Sequence, residues 1–306
     1  MVLLLLISRA AMAQQQAAPA EYDPFDIRYS LVLKVQLVLV TATVTDRFGR
    51  YVTDLEQDDF LIYEDGEAQE IAHFATENTA PKSVVILLDV SGSMRIMNKI
   101  GMAKESVDLF LNYLKPDDTS ALVFFADGGL EQGATWTQDR EAVRKELWAV
   151  KAYGKTALHD AVASVPAFAA KGERSRKAVL LITDGIDNAS EIDIDAAVNI
   201  AQRTDLPIYS VGVVPSGIPP AKLAQQILNR DVLKRLADGT GGRFFEVRDG
   251  IEMRQACGQV ISELGSQYVL GFRSSNIDQS GTFHKITVKT KRRGLRVRSR
   301  HGYLSD

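Results

Sequence analysis

Five consecutive apolar residues, 84–88, run straight into Asp89-Val90-Ser91-Gly92-Ser93, and this stretch constrains the chain more than any other. An apolar run of that length without alternation is a strand covered on both faces, the mark of a parallel sheet enclosed by helices. Polar chemistry starts where the strand stops, and in open parallel sheets ligands sit just beyond the carboxyl ends of the strands. Asp89, Ser91 and Ser93 alternate with Val90 and Gly92, so a locally extended turn converges three oxygens on one point while Val90 faces the core. Hard oxygens around a point suit a small divalent cation such as magnesium, which keeps several waters and takes few protein ligands.

The remaining composition narrows the field by exclusion. With 306 residues the chain has room for two domains, and 45% hydrophobic with 25% charged residues is an ordinary globular balance. A formal net charge of −3 gives no general nucleic-acid footprint. The single cysteine, Cys257, excludes an intrachain disulfide and a cysteine-based zinc site, and His73, His159, His284 and His301 are too scattered for a helical ligand pair. Near the start, an apolar run over residues 2–7 precedes Ala11-Met12-Ala13 and a glutamine run. That is the form of the end of a secretory signal, without its basic leading region. Residues 1–13 are therefore expected to be a signal segment, 14–28 a polar linker, and the protein exported to a periplasm or the exterior.

Residues 30–44 are apolar but carry Lys34 and Gln36, and at 15 residues they fall short of the roughly 20 that a membrane-spanning helix needs, so no transmembrane span is expected. Their apolar set occupies odd positions from Leu31 to Leu39 and even ones from Val40 to Val44, a phase change that predicts a bulge or a switch between sheets near 38–40. Asp65-Gly66 predicts a hairpin turn between strands at 60–63 and 70–74.

From Pro81 the period changes. Helical patterns at 97–114, 140–150 (capped by Asp139), 157–169, 196–203, 232–237 and 252–264 alternate with strands at 121–125, 178–183, 207–213 and 244–247. This alternation predicts an α/β fold, a mostly parallel doubly wound sheet with helices on both faces. After Gly265 the pattern returns to strands at 268–272, 283–290 and 295–298. Neither β-rich end can bury a core alone. They are therefore expected to form one discontinuous, sandwich-like β domain, 29–79 with 266–306, into which an α/β domain, 80–265, is inserted. The basic residues Lys285, Lys289, Lys291, Arg292, Arg293, Arg296, Arg298 and Arg300 alternate with apolar ones and are expected on the solvated face of a hairpin. Gly239 is expected to end a helix, Cys257 to be a buried small hydrophobe, and His159 to be packed in a first helical turn.

The loop Asp89-Val90-Ser91-Gly92-Ser93 resembles the first loop of the metal-ion-dependent adhesion site of von Willebrand factor type A domains. Thr156, in Gly154-Lys155-Thr156-Ala157-Leu158, stands where that family places its threonine. Asp184, in Leu181-Ile182-Thr183-Asp184-Gly185, stands where it places its last aspartate. The leader Asp59-Phe60-Leu61-Ile62-Tyr63-Glu64-Asp65-Gly66 and the closing Tyr268-Val269-Leu270-Gly271-Phe272 are similar to flanks of bacterial members. The resemblance implies a Rossmann-like domain without catalytic activity. It further implies a magnesium (or manganese or calcium) ion held by Ser91, Ser93 and Thr156, with Asp89 and Asp184 completing the shell, and a protein partner whose acidic side chain fills the open position. The competing reading is a magnesium-dependent phosphatase or phosphotransferase of the haloacid-dehalogenase type, with Asp89 as nucleophile. That chemistry wants a second acid at the position of Ser91 and a lysine near the phosphate, and the sequence supplies neither in an evident place.

Overall fold

The computed structural model describes residues 37–76, 80–174, 176–214, 223–274 and 281–305. The expected signal segment, the linker and the first residues of the opening strand lie outside these described residues. In chain order, β1 (Leu37–Thr45), β2 (Phe60–Glu64), β3 (Glu67–Gln69) and β4 (Ile71–Thr76) precede β5 (Lys82–Asp89). Then come α1 (Lys99–Tyr113), β6 (Thr119–Phe125), β7 (Leu130–Thr137), α2 (Arg140–Ala149), α3 (Leu158–Ala169) and β8 (Arg176–Thr183). They are followed by α4 (Ile194–Ala201), β9 (Ile208–Val213), α5 (Leu223–Thr240), β10 (Phe244–Val247) and α6 (Gly250–Leu264). The strands β11 (Gln267–Arg273), β12 (Phe283–Thr290), β13 (Arg296–Ser299) and β14 (Gly302–Leu304) close the chain.

The central sheet has the order β10-β9-β8-β5-β6-β7, parallel except for the antiparallel edge strand β7. Every residue of β5 is buried, as its unbroken apolar run requires. Val84, Ile86 and Leu88 pack with α1, α2 and α6 on one face; Val85 and Leu87 pack with α3, α4 and α5 on the other. The sheet is therefore mostly parallel and doubly wound, with helices on both faces. The chain leaves β5 toward β6 on one side and later returns to β8 on the other. The carboxyl ends of β5 and β8 thus flank a topological switch point, where the diverging connections open a crevice.

Strands from both ends of the chain share two further four-stranded sheets, β13-β1-β11-β4 and β14-β12-β2-β3. Their joint core holds Val38, Val40, Ala42 and Val44 of β1 with Phe60, Ile62, Tyr268, Leu270, Phe272, Ile286 and Val288.

Several details depart from the sequence reading. No bulge interrupts β1, which keeps one register against β11 from Leu37↔Arg273 to Thr43↔Gln267. Leu37 and Leu39 instead face outward, 47% and 38% exposed, and lie over Gly271, where a Cβ would meet Leu39 at 3.1 Å and Leu37 at 3.3 Å. The outer face takes these leucines because its partner strand has no side chain there. The irregularity falls between Gly271 and Phe272 in the pairing of β11 with β4. The Asp65-Gly66 turn forms with φ of 50° and 94°, but β2 pairs with the short β3, while β4 crosses to the other sheet. The expected hairpin of β12 and β13 is also absent, since β13 pairs with β1. Lys285 and Lys289 are exposed as expected, whereas Arg300 is 5% exposed and Arg298 pairs with the buried Glu263. The helix α5 runs past Gly239 to Thr240, and Gly241, at φ 80°, takes the left-handed position that ends it.

Candidate metal centre

Asp89 is the last residue of β5, fully buried, with both carboxylate oxygens engaged. Oδ1 accepts the Ser91 backbone N–H at 2.8 Å, and Oδ2 accepts the Thr183 hydroxyl at 2.5 Å. Thr183 ends the neighbouring strand β8, and the in-register pairing of Leu88 with Ile182 sets the two side by side. Burial, seconded by the charge of Asp184, pushes the Asp89 carboxyl up to about 6, against the pull of the hydrogen bonds from Thr183 and Ser91.

Beyond Asp89 the backbone is extended at Ser91 (φ −67°, ψ 164°), and Val90 is fully buried, which is the alternation expected of this loop. The Ser91 and Ser93 hydroxyl oxygens lie 3.0 Å apart. Adjacent ligands of an octahedral ion with bonds of about 2.0–2.1 Å stand about 3 Å apart, so this pair has the spacing of one edge of a magnesium shell. Gly92 donates its N–H to the Gly154 carbonyl at 3.0 Å, and a Cβ on Gly92 would come within 2.9 Å of that oxygen. The glycine is what lets the first loop touch the second. A further bond, Tyr153 N–H to the Val90 carbonyl at 2.7 Å, fastens them together.

Thr156, 1% exposed, is fixed from the third loop. Its N–H donates to Asn188 Oδ1 at 2.8 Å, and its carbonyl accepts the Asn188 and Ala189 N–H groups, each at 3.0 Å. Asp184, 7% exposed, follows β8; its Oδ1 accepts the Ile186 N–H at 3.2 Å. Its Oδ2 receives the Lys99 ammonium at 2.5 Å. His159 points its ring to the Ile192 carbonyl at 3.2 Å and does not join this group.

The three loops carrying Asp89, Ser91, Ser93, Thr156 and Asp184 are thus tied together at one end of the sheet. Two carboxylates and three neutral hydroxyls are a donor set for a hard, small cation. Among the described residues no three His, Cys, Asp or Glu side chains gather as a metal group, so hydroxyls would have to supply much of any shell here. Sequence reasoning missed Thr183 as the brace of Asp89, Asn188 as the clamp of Thr156, and Lys99. Thr183 was legible as the polar residue closing an apolar strand; the other two carry no local signal. Lys99 stands against Asp184, where the sequence shows no evident lysine.

Residues 84–186 match the family of the von Willebrand factor type A domain. An uncharacterized protein of Borreliella burgdorferi is 25% identical over 197 residues, 58% of this chain and 57% of that protein, so the chain spans just over half the length of the curated relative it matches. Among solved structures, a von Willebrand factor type A protein from Catenulispora acidiphila aligns with a TM-score of 0.53 at 15% identity, over 81% of this chain and 74% of that one. Proximal thread matrix protein 1 from the mussel byssus, solved with a zinc-occupied MIDAS motif, aligns with a TM-score of 0.51 at 16% identity, over 67% of this chain and 50% of that one. At these identities the likeness is one of fold.

Proposed function

We propose that this chain, a von Willebrand factor type A domain protein, is an exported binding module that takes an acidic group of a protein partner through a divalent ion, magnesium, manganese or calcium. In this reading Ser91, Ser93 and Thr156 hold the ion, Asp89 and Asp184 brace the shell, and the domain over 80–265 is inserted in a β domain of 29–79 with 266–306. The observation that carries it is the Ser91–Ser93 oxygen spacing of 3.0 Å directly beyond a buried aspartate at the sheet's switch point. A bound divalent ion would supply a positive, coordinatively open acceptor for one carboxylate oxygen.

The chain's own residues set how such a site behaves. Asp89, held by Thr183 and Ser91, keeps negative charge behind the two hydroxyls without spending a free oxygen on them. Ser91 and Ser93 add no charge, so an ion resting on them stays electrophilic. Thr156 is held through its backbone by Asn188 and Ala189, which leaves its hydroxyl for the ion in this reading. Screening by the two acids limits the attraction for a partner's carboxylate, so affinity must also come from the surrounding surface.

Calorimetry with magnesium tests the ion, and capture from an extracytoplasmic extract with and without chelator tests the partner. Asp89→Ala is expected to abolish magnesium uptake with the fold intact. Thr156→Ala is expected to weaken partner capture more than magnesium binding, because the serines remain. A wild type that takes up no divalent ion at millimolar concentration, or captures its partner equally well in chelator, overturns the reading. Turnover of a phosphate ester would instead favour the phosphotransfer alternative, for which Lys99 beside Asp184 is a supporting contact.

A further inference from the structure

Lys99 is placed against three separate physical preferences. Its side chain is 10% exposed and that of Asp184 4%, so both charges have left water. Removing two ions from water costs several kcal/mol each before their attraction offsets it. Lys99 is also the first residue of α1, where the positive end of the helix disfavours a cation, and no acidic residue occupies that first turn to compensate. Finally, the two residues before it, Met97 and Asn98, both sit at φ 55° in the left-handed region, an arrangement that non-glycine residues adopt at a cost. A lysine opening a helix could point into solvent and avoid the first two costs. Here the lysine that follows this left-handed pair sets its ammonium on one oxygen, Oδ2 of Asp184.

The two acids at the sheet end repel each other, since the charge of Asp184 acts on Asp89. An ammonium on Asp184 offsets one of the two negative charges that would draw a divalent ion. It also occupies the oxygen that Asp184 does not give to the Ile186 N–H. We propose that Lys99 is a tethered cation that competes with the divalent ion for Asp184, so that metal uptake must displace the lysine and the site's affinity is set by this competition. The inference rests on the metal-binding reading of the loops and adds to it a built-in regulator of occupancy. Its functional consequence is a site that fills only where the ion is abundant.

The test is calorimetric titration of the full chain with magnesium and with manganese, for the wild type, Lys99→Met and Lys99→Gln, with circular dichroism to verify the fold. Removal of a buried charge beside a divalent ion is expected to lower the dissociation constant at least about tenfold in both variants. Unchanged or weaker binding in folded variants overturns the proposal while leaving the metal site itself intact. Uptake by none of the three proteins overturns the metal reading, and the proposal with it. A second measurement needs no variant: acetylation of wild-type lysines with an activated ester, read residue by residue by mass spectrometry. Lys99 is expected to be protected in chelator and labelled in saturating magnesium. Equal labelling of Lys99 in both conditions, while calorimetry shows magnesium bound, overturns the displacement.

Discussion

Asp89 concentrates the electrostatics of the molecule on one side chain. Its carboxyl is held at about 6, first by burial and then by Asp184, against an ordinary value of about 4. Between those two pH values the folded chain keeps a proton there that the unfolded chain has lost. The contribution of Asp89 to stability therefore falls as pH rises from about 4 to about 6 and levels off above, by roughly 3 kcal/mol in all. Asp89→Asn removes the buried charge and keeps an acceptor for the Ser91 N–H. In chelator it is expected to stabilise the chain by about 1–3 kcal/mol at neutral pH and to flatten that window, measured by urea denaturation at pH 4.5 and 7. Destabilisation at pH 7 would mean that the carboxylate's hydrogen bonds outweigh its desolvation. Cys257 is a second buried titratable group, away from the loops of the site. It is fully buried on α6, and burial pushes its thiol up to about 12. No reaction with a thiol reagent is expected at pH 8 until the chain unfolds, and fast modification of the native protein would contradict its placement.

At the scale of single elements, helix ends and glycine contacts decide the outcome. Asp139 caps α2 by accepting the Glu141 and Ala142 N–H groups at 2.9 and 3.2 Å. Asp139→Ala is expected to cost about 1 kcal/mol in chemical denaturation, the usual value for a lost cap. Gly92 is less forgiving, because a methyl group there meets the Gly154 carbonyl oxygen at 2.9 Å, and that oxygen belongs to backbone that cannot swing aside as a side chain would. Gly92→Ala is expected to part the first and second loops and so to weaken magnesium binding more than it lowers the melting temperature. An alanine variant with wild-type calorimetry would show that the loops do not need to touch.

Across the whole molecule, the α/β part and the flanking sheets meet through a buried polar group. Glu263 of α6, fully buried, accepts the Tyr209 hydroxyl at 2.9 Å and the Tyr51 hydroxyl at 3.3 Å, and pairs with Arg298 of β13. Gln267 of β11 donates to Tyr209 at 3.0 Å, which carries the network on into the flanking sheet. Arg298→Met would strand the Glu263 carboxylate, at an expected cost of about 3–5 kcal/mol. Combining it with Glu263→Gln should recover much of that loss. Additive losses in the double variant, measured by denaturation, would show that the two residues are not energetically coupled.

Much of this protein is legible in one dimension. The apolar run of β5, the alternation of helical and strand periods after Pro81 and the Asp139 cap are local patterns, and local patterns fix the type and order of elements because backbone period and side-chain burial are linked residue by residue. The loop oxygens of Ser91 and Ser93 were legible for the same reason, since strand alternation aims them without help from the rest of the chain. What the sequence could not decide are choices between partners of equal local merit. Leu37 and Leu39 could lie inside or outside β1, and only the absence of a side chain at Gly271, more than 200 residues away, makes the outer face hospitable. The segment after the Asp65-Gly66 turn could pair with β2 or cross to the other sheet, and Arg298 and Arg300 could be solvated or buried. Lys99 could face water or Asp184. Each of these was settled by a contact between residues distant in sequence, where desolvation and pairing outweigh the local pattern.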